Sequence, residues 1–307
     1  MLSVKHAFRF VKPYRYESFM VGGGLFHLDD VFLALHDRFM QEGYGFFLDA
    51  VFGGQPCLWH AGRVVRNPLP AESLEETMRR LLTAYAERGI SCRLNFSAPD
   101  VDASMLGDKK SNLMLRILAE HNTCRENPHG VIVASDTLRE YVRDRYPDLF
   151  ITASVIKTAY AHPSGSDTPE WYDSLAGRFD MVVVRSDRNL SLSFLNAIEH
   201  KEKMELILNS ECVLNCPLRV PHYQYMQDIG RGIVSSVPKF NALMEKCRER
   251  KGELPNIALT QTQIGRIFDL GFRHFKLAGR EMSWQNWREA NARFLVDESL
   301  LLGGMLD

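Results

Sequence analysis

Between Met204 and His222 the chain reads MELILNSECVLNCPLRVPH. Two thiols (Cys212, Cys216), a carboxylate (Glu211), a guanidinium (Arg219) and an imidazole (His222) fall within twelve residues. Thiolates and imidazole are the soft ligands that suit zinc or an iron–sulfur cluster. A carboxylate and an imidazole can move protons. Arginine offers a planar fork to carboxylate or phosphate. Cys247, further along, completes a candidate metal set of three with Cys212 and Cys216. The spacing C-x3-C is not that of a zinc finger, which pairs C-x2-C with a second pair. The plainer alternative is two buried thiols acting as small hydrophobes. A Cys–His nucleophile from Cys212 or Cys216 with His222 would need a group that orients the imidazole, and none is evident.

These residues need a scaffold, and the pattern around them supplies one. MELIL is a short apolar run bounded by Asn209 and Ser210, which reads as a buried strand of a parallel sheet. Pro217 and Pro221 predict that the following segment continues as neither regular strand nor helix. Similar short apolar runs occur at 18–21, 92–96, 131–134, 150–154, 181–184, 257–259 and 274–277. Amphipathic helical stretches separate nearly all of them, among them 29–41, 73–88 (with Ser73 and Glu76 as a capping box), 111–122, 137–146, 170–176, 191–201, 261–270 and 283–294. Eight such units fit an α/β fold of the (β/α)8 TIM-like barrel type, one domain over residues 1–307. Residues 44–70 do not fit the repeat and read as an inserted hairpin or irregular excursion.

In such a barrel the strand C-terminal ends form one mouth. There the pattern places Asn95, Arg185 and Asn209 as substrate-binding candidates. Glu211, Arg219, His222, Lys276 and Arg280 are the catalytic candidates, with Cys212, Cys216 and Cys247 as cofactor or metal ligands. Four cations converging there (Arg185, Arg219, Lys276, Arg280) require an anion between them. A carboxylate- or phosphate-bearing substrate would supply it; Glu211 and Asp187 are the internal alternative. Cys92 and Cys124 read as core, and Cys57 belongs to the irregular segment.

Composition narrows the setting. The 307 residues are 45% hydrophobic and 24% charged, ordinary for a globular protein. A formal net charge of -1 does not support nucleic-acid binding. No run of eighteen apolar residues spans a membrane, and MLSVKHAFRFVKPYRY lacks the apolar core of a signal peptide. Six cysteines without an export signal point to reduced thiols in the cytoplasm. No G-x-G-x-x-G, G-K-[ST], G-x-S-x-G or H-E-x-x-H occurs.

The segment NSECVLNCPLRVPH resembles the N-E-x-C-x3-C-P-x-R-x2-H signature of the collagenase-like peptidase family U-32. IALTQTQIGRIFDLGFRHFKLAGR resembles that family's closing unit, and LNFS at 94–97 one of its early strands. The resemblance covers roughly residues 90–300. It implies a TIM-like barrel. It also implies, despite the peptidase label, an iron–sulfur protein of oxygen-independent hydroxylation, acting on a quinone precursor or RNA bases in several members. By the same resemblance Cys212 and Cys216 would be two of four ligands of a [4Fe-4S] cluster, with zinc as the other metal to expect. The family's further cysteine lies just upstream of the pair, where Ser191–Lys203 holds none. Cys247 is left to substitute from downstream, and His222, Cys57, a substrate or water to fill the fourth position. The other functions to weigh are a partner-dependent subunit of a biosynthetic complex and a cysteine-type peptidase, the latter without an activated nucleophile in view.

Overall fold

The computed structural model describes residues 18–41, 48–62, 65, 68–210, 212–279 and 282–295. Eight strands, all paired in parallel, close into one barrel in sequence order. They are β1 (Ser18–Gly22), β2 (Ala50–Gly53), β3 (Ser91–Phe96), β4 (Gly130–Val133), β5 (Phe150–Ala153), β6 (Met181–Val184), β7 (Met204–Ile207) and β8 (His274–Leu277). Helices ring it: α1 (Asp29–Gln41), α2 (Ala71–Ala86), α3 (Lys109–Glu120), α4 (Asp136–Arg145), α5 (Val155–Ala161), α6 (Pro169–Ala176), α7 (Leu192–Ala197), α8 (Arg219–Gly230), α9 (Val237–Glu253), α10 (Gln261–Asp269) and α11 (Trp284–Leu295).

Strand alternation divides the core in two. Val51, Leu94, Val131, Ile151, Val182, Leu206 and Phe275 point outward and join the continuous apolar layer beneath the helices. The opposite register set points into the lumen, where Met20, Ala50, Phe52 and Ile132 form a small separate cluster. The lumen also holds charges. Arg93, Glu205 and Lys276 occupy lumen positions of β3, β7 and β8, each less than a tenth exposed. Gly130 makes room for one of them. A Cβ there would fall 2.4 Å from Arg93 Nη1 and 2.0 Å from the Phe150 carbonyl oxygen.

The strand count is as expected, but two of its members differ. β2 lies inside the stretch expected to be an irregular insertion, so 44–70 is in part a regular barrel unit. Conversely, 257–259 is not a barrel strand. Ile257 N donates to the Cys212 carbonyl and Leu259 N to the Leu208 carbonyl, which buries this run beyond the end of β7. β7 itself is already paired to β6 and β8.

The seventh unit is also longer than expected, because α8 and α9 precede α10. The prolines do not prevent α8. Pro221 sits in its first turn, where an N–H has no intrahelical acceptor. At α2 the expected capping box does not form: Pro70 takes the N-cap position, and Ser73 Oγ donates to the Pro70 carbonyl instead. At α10 it does form, between Thr260 and Gln263. Of the cysteines expected in the core, Cys92 is fully buried whereas Cys124 is only half-buried.

Candidate functional site

α8 is positioned by contacts at both ends. Its first residue, Arg219, donates from both Nη atoms to the Asp187 carboxylate, at 2.9 Å for the Nη2–Oδ1 bond. Asp187 belongs to the turn after β6. Just past the other end of α8, Arg231 donates to the Leu58 carbonyl at 2.6 Å and to Asp100 at 2.7 and 2.8 Å. Leu58 follows β2 and Asp100 follows β3. Gln227 Nε2 adds a bond to Asp100 at 2.8 Å, and Tyr160 of α5 bonds to Gln224 at 3.1 Å. β3 and β7 stand four places apart in a ring of eight, on opposite sides. A twelve-residue helix is about 18 Å long. α8 therefore bridges the rim across the strand C-terminal end, with Arg219, Met226 and Gln227 buried along it.

The β7 end of this bridge is a dense ionic cluster. Arg185 Nε donates to Asp187 Oδ2 at 2.5 Å, and Arg185 Nη1 to the His162 carbonyl at 2.9 Å. Asn215 N donates to Asp187 Oδ1 at 2.9 Å, and Arg219 Nη2 to the Val213 carbonyl at 3.2 Å. Burial pushes the Asp187 carboxyl up, but the bonds and charges of Arg219 and Arg185 outweigh it and leave the group below the usual carboxylate range. Arg188 pairs with buried Asp167, which also accepts from the Tyr172 hydroxyl at 2.8 Å. Among the described residues, three guanidinium groups (Arg185, Arg188, Arg219) thus face two carboxylates (Asp167, Asp187). Tyr223, one turn along α8, has its phenol pushed up to about 12, chiefly by burial, with Arg219 opposing. It stays protonated and can donate.

Cys212 and Cys216 stand at the edge of this cluster. Cys216 is buried and Cys212 half-buried. Burial raises the Cys216 thiol above its ordinary value, so it is not an activated nucleophile. Cys247 is buried on α9. Among the described residues no three His, Cys, Asp or Glu side chains converge to hold a metal ion, so Cys247 does not join the pair. Cys57 is elsewhere, its thiol pushed up to about 11 by burial. His222 packs its ring against Phe240 of α9, with centroids 5.7 Å apart. Among the described residues the donor set needed for a [4Fe-4S] cluster or a zinc site is not assembled. Glu211 and Arg280 lie outside the described residues.

The expected convergence of cations is met only in part. Arg185 and Arg219 come together, on Asp187 rather than on an open site. Lys276 does not join them. Its Nζ lies 3.5 Å from Glu205 Oε2 and 4.0 Å from the centre of the Phe52 ring, inside the lumen. Asn95 is engaged too: Nδ2 donates to the Ala61 carbonyl and Oδ1 accepts from Ser97 Oγ at 2.9 Å, which ties the β2 loop to the end of β3. Asn209 donates to the Ala278 carbonyl at 2.7 Å and to Asn291 Oδ1 at 2.5 Å, and accepts from Ala278 N at 2.8 Å. Both asparagines fasten loops and have little left for a substrate.

Glu205 was missed, although a glutamate inside MELIL is itself a signal: a charge in a buried strand demands a partner. Its Oε2 has no hydrogen bond, and burial raises its carboxyl, with Lys276 and Arg93 pulling it back. Arg93 is lowered to about 10 by the same burial, against the pull of Glu205. Tyr223 and Asp167 lacked any comparable signal, since helix and loop positions tolerate both.

No protein-family model matches the chain, and no curated protein does. Among solved structures, one described as the U32 peptidase Mk0906 superposes with a TM-score of 0.53 at 15% identity, over 88% of this chain and 96% of that one. The likeness shows the barrel architecture and agrees with the resemblance carried by NSECVLNCPLRVPH. A second, the citrate synthase SbnG, has a TM-score of 0.32 at 13% identity, too low to argue from. No helix of the described residues is long and apolar enough to cross a membrane.

Proposed function

We propose that this protein binds an anionic small molecule at the strand C-terminal end of its barrel, beneath α8. Arg185, Arg188 and Arg219 would supply the field, and Tyr223 a neutral hydrogen-bond donor. The observation that carries the reading is that, among the described residues, the Arg185–Arg188–Arg219 set pairs with two carboxylates, Asp167 and Asp187. Rigid guanidinium groups held in place by carboxylates are preorganised for carboxylate or phosphate. Oxygen-independent hydroxylation, which the family resemblance implies, requires ligands beyond Cys212 and Cys216.

Calorimetric titration with inorganic phosphate, phosphate monoesters and di- and tricarboxylates tests it. A ligand bound more tightly than about 1 mM, weakened by salt and by Tyr223→Phe, is the expected result. No binding heat from folded protein with any of these anions would overturn it.

A second reading, a subunit completed by a partner, is favoured by one observation. Among the described residues, five of the seven exposed large apolar side chains, Leu58, Leu190, Leu214, Ile233 and Val234, belong to loops beyond strand C-terminal ends, while Met40 and Leu254 stand at helix C-terminal ends. Such patches mark interaction surfaces. An isolated chain that binds no anion but runs as a larger species, returned to monomer by Val234→Asp, would favour this reading over the first.

A further inference from the structure

We propose that the cleft between α3 and α4 docks an acidic segment of another protein, an amphipathic helix with carboxylates flanking its apolar face. This surface is independent of the mouth. The cleft is open, with a volume of about 890 Å³, and lies on the ring of helices. Helical spacing builds its two walls. Lys109, Leu113 and Arg116 stand at i, i+4 and i+7 on α3, and Tyr141 and Arg145 at i and i+4 on α4. Leu113, Tyr141 and Tyr146 form a half-buried floor packed on the apolar layer beneath the helices. That floor is held firmly. The Tyr141 hydroxyl donates to Asn112 Oδ1 at 2.6 Å, joining the two walls, and its ring meets Trp59 edge-to-face at 5.7 Å.

The rim carries charge of one sign. Lys109, Arg116 and Arg145 are exposed and line the cleft, and among the described residues no carboxylate does. Among those residues Lys109 and Arg145 have no ion-pair partner, and Arg116 reaches only Glu120, at 3.9 Å, which Arg79 holds at 2.8 Å. By contrast Arg79, Arg88, Arg139 and Arg143, on the same helices or beside them, each hold a carboxylate within 3.0 Å. In a chain of net charge -1, such a strip selects an anionic partner. The chemistry fits protein better than nucleic acid. A single strand stacks its bases on open aromatic faces. Tyr141 gives one face to the Arg145 guanidinium, 4.5 Å from the ring centre, and packs against Trp59. A leucine and tyrosine floor between cations instead matches an amphipathic helix laid in a groove. Lys109 and Arg116 are about 10 Å apart along α3, the spacing of two carboxylates two turns apart on that helix.

The test titrates the whole chain into a fluorescein-labelled synthetic helix with leucine at i, i+3, i+4 and i+7 and glutamate on both flanks. Fluorescence anisotropy should show binding tighter than about 1 mM, reduced by salt. Combining Lys109→Glu, Arg116→Glu and Arg145→Glu should weaken it by about tenfold or more. These side chains are exposed, so the thermal transition of that variant should match the native one. Leu113→Gln, which keeps every cation, should weaken binding as well, and it keeps the test standing if the triple variant fails to fold. A peptide with glutamine in place of glutamate should bind about tenfold more weakly. Amide hydrogen exchange in the complex should slow over 106–116 and 141–146. No binding of the acidic helix, binding indifferent to these substitutions or to glutamine, or protection confined to other segments would overturn the proposal. So would a single-stranded oligonucleotide that binds more tightly than the acidic helix and protects the same residues, which would make the cleft a nucleic-acid site.

Discussion

The barrel holds two buried ionic centres that are partnered in opposite ways. At the mouth, Asp187 receives two guanidinium groups and a backbone N–H. In the lumen, Glu205 meets Lys276 at 3.5 Å without a hydrogen bond to Oε2, and Arg93 spends its Nη1 on the Pro128 carbonyl at 2.7 Å. Burial opposes ionisation of both carboxyls. At Asp187 hydrogen bonds reverse that effect; at Glu205 they do not. A buried charge is tolerable when its lone pairs are filled, and proximity of opposite charge alone is a weaker remedy. The mouth centre is accordingly a fastening that ties three segments together. The lumen centre is the less settled of the two.

The sharpest way to break that comparison is Asp187→Ala. It leaves Arg185 and Arg219 buried without their carboxylate, a change that costs about 3–5 kcal/mol when a buried pair loses one partner. Urea denaturation should show a loss of that order, with α8 released from the rim. A loss under about 1 kcal/mol, the size of an exposed pair, would mean that the mouth centre is not the fastening described.

The two centres should also differ in the sign of their pH dependence. Asp187 lies below its ordinary value when folded. Its contribution is present above the unfolded carboxyl value and disappears as pH falls through the lowered folded one. Glu205 lies above its ordinary value. The folded state then holds the proton more tightly than the unfolded chain, and stability declines as pH rises from the ordinary carboxyl range through the raised folded value. Glu205→Gln removes that decline. The stability of E205Q relative to the native chain should rise with pH by up to about 1.4 kcal/mol per unit across that window. A difference that is flat with pH would show Glu205 to be no less settled than Asp187.

Much of this arrangement could be read before any fold was known, and the exceptions have physical causes. The barrel and its outer helices follow from apolar periodicity, because the outward faces of β3 to β8 and the inward faces of the helices share one apolar layer. β2 escapes because AVFG is short, buried throughout and ends in Gly53-Gly54, so it shows neither alternation nor length. Residues 257–259 read as a strand because they are apolar. They are apolar because they are buried over the end of β7, which periodicity cannot tell from ladder pairing. α9 buries only Leu243 and Cys247 among its described contacts and has little amphipathic signature to detect. At the site, residue type was a better guide than destination. Arg185, Arg219, Cys212 and Cys216 do lie in neighbouring segments of one rim. Lys276, by contrast, follows strand parity into the lumen, as any third residue of β8 paired with Met20 must.

The smallest expected effect concerns the far end of α8, which tests whether the mouth centre fastens the bridge alone. Arg231 and Asp100 form a close pair, but Asp100 is 45% exposed, so solvent screening discounts its worth. Arg231→Ala should cost no more than about 1 kcal/mol in global stability. Its local consequence should be larger than its global one, because Arg231 also holds the Leu58 carbonyl and shares Asp100 with Gln227. Amide hydrogen exchange over the last turn of α8 should therefore quicken while the amides near Arg219 keep their protection. Exchange that quickens evenly from Arg219 to Gly230 would mean that the helix moves as one body and that Asp187 is not an independent anchor. Exchange unchanged along the whole helix would place the restraint on α8 entirely at its β7 end and remove the bridge's second foot.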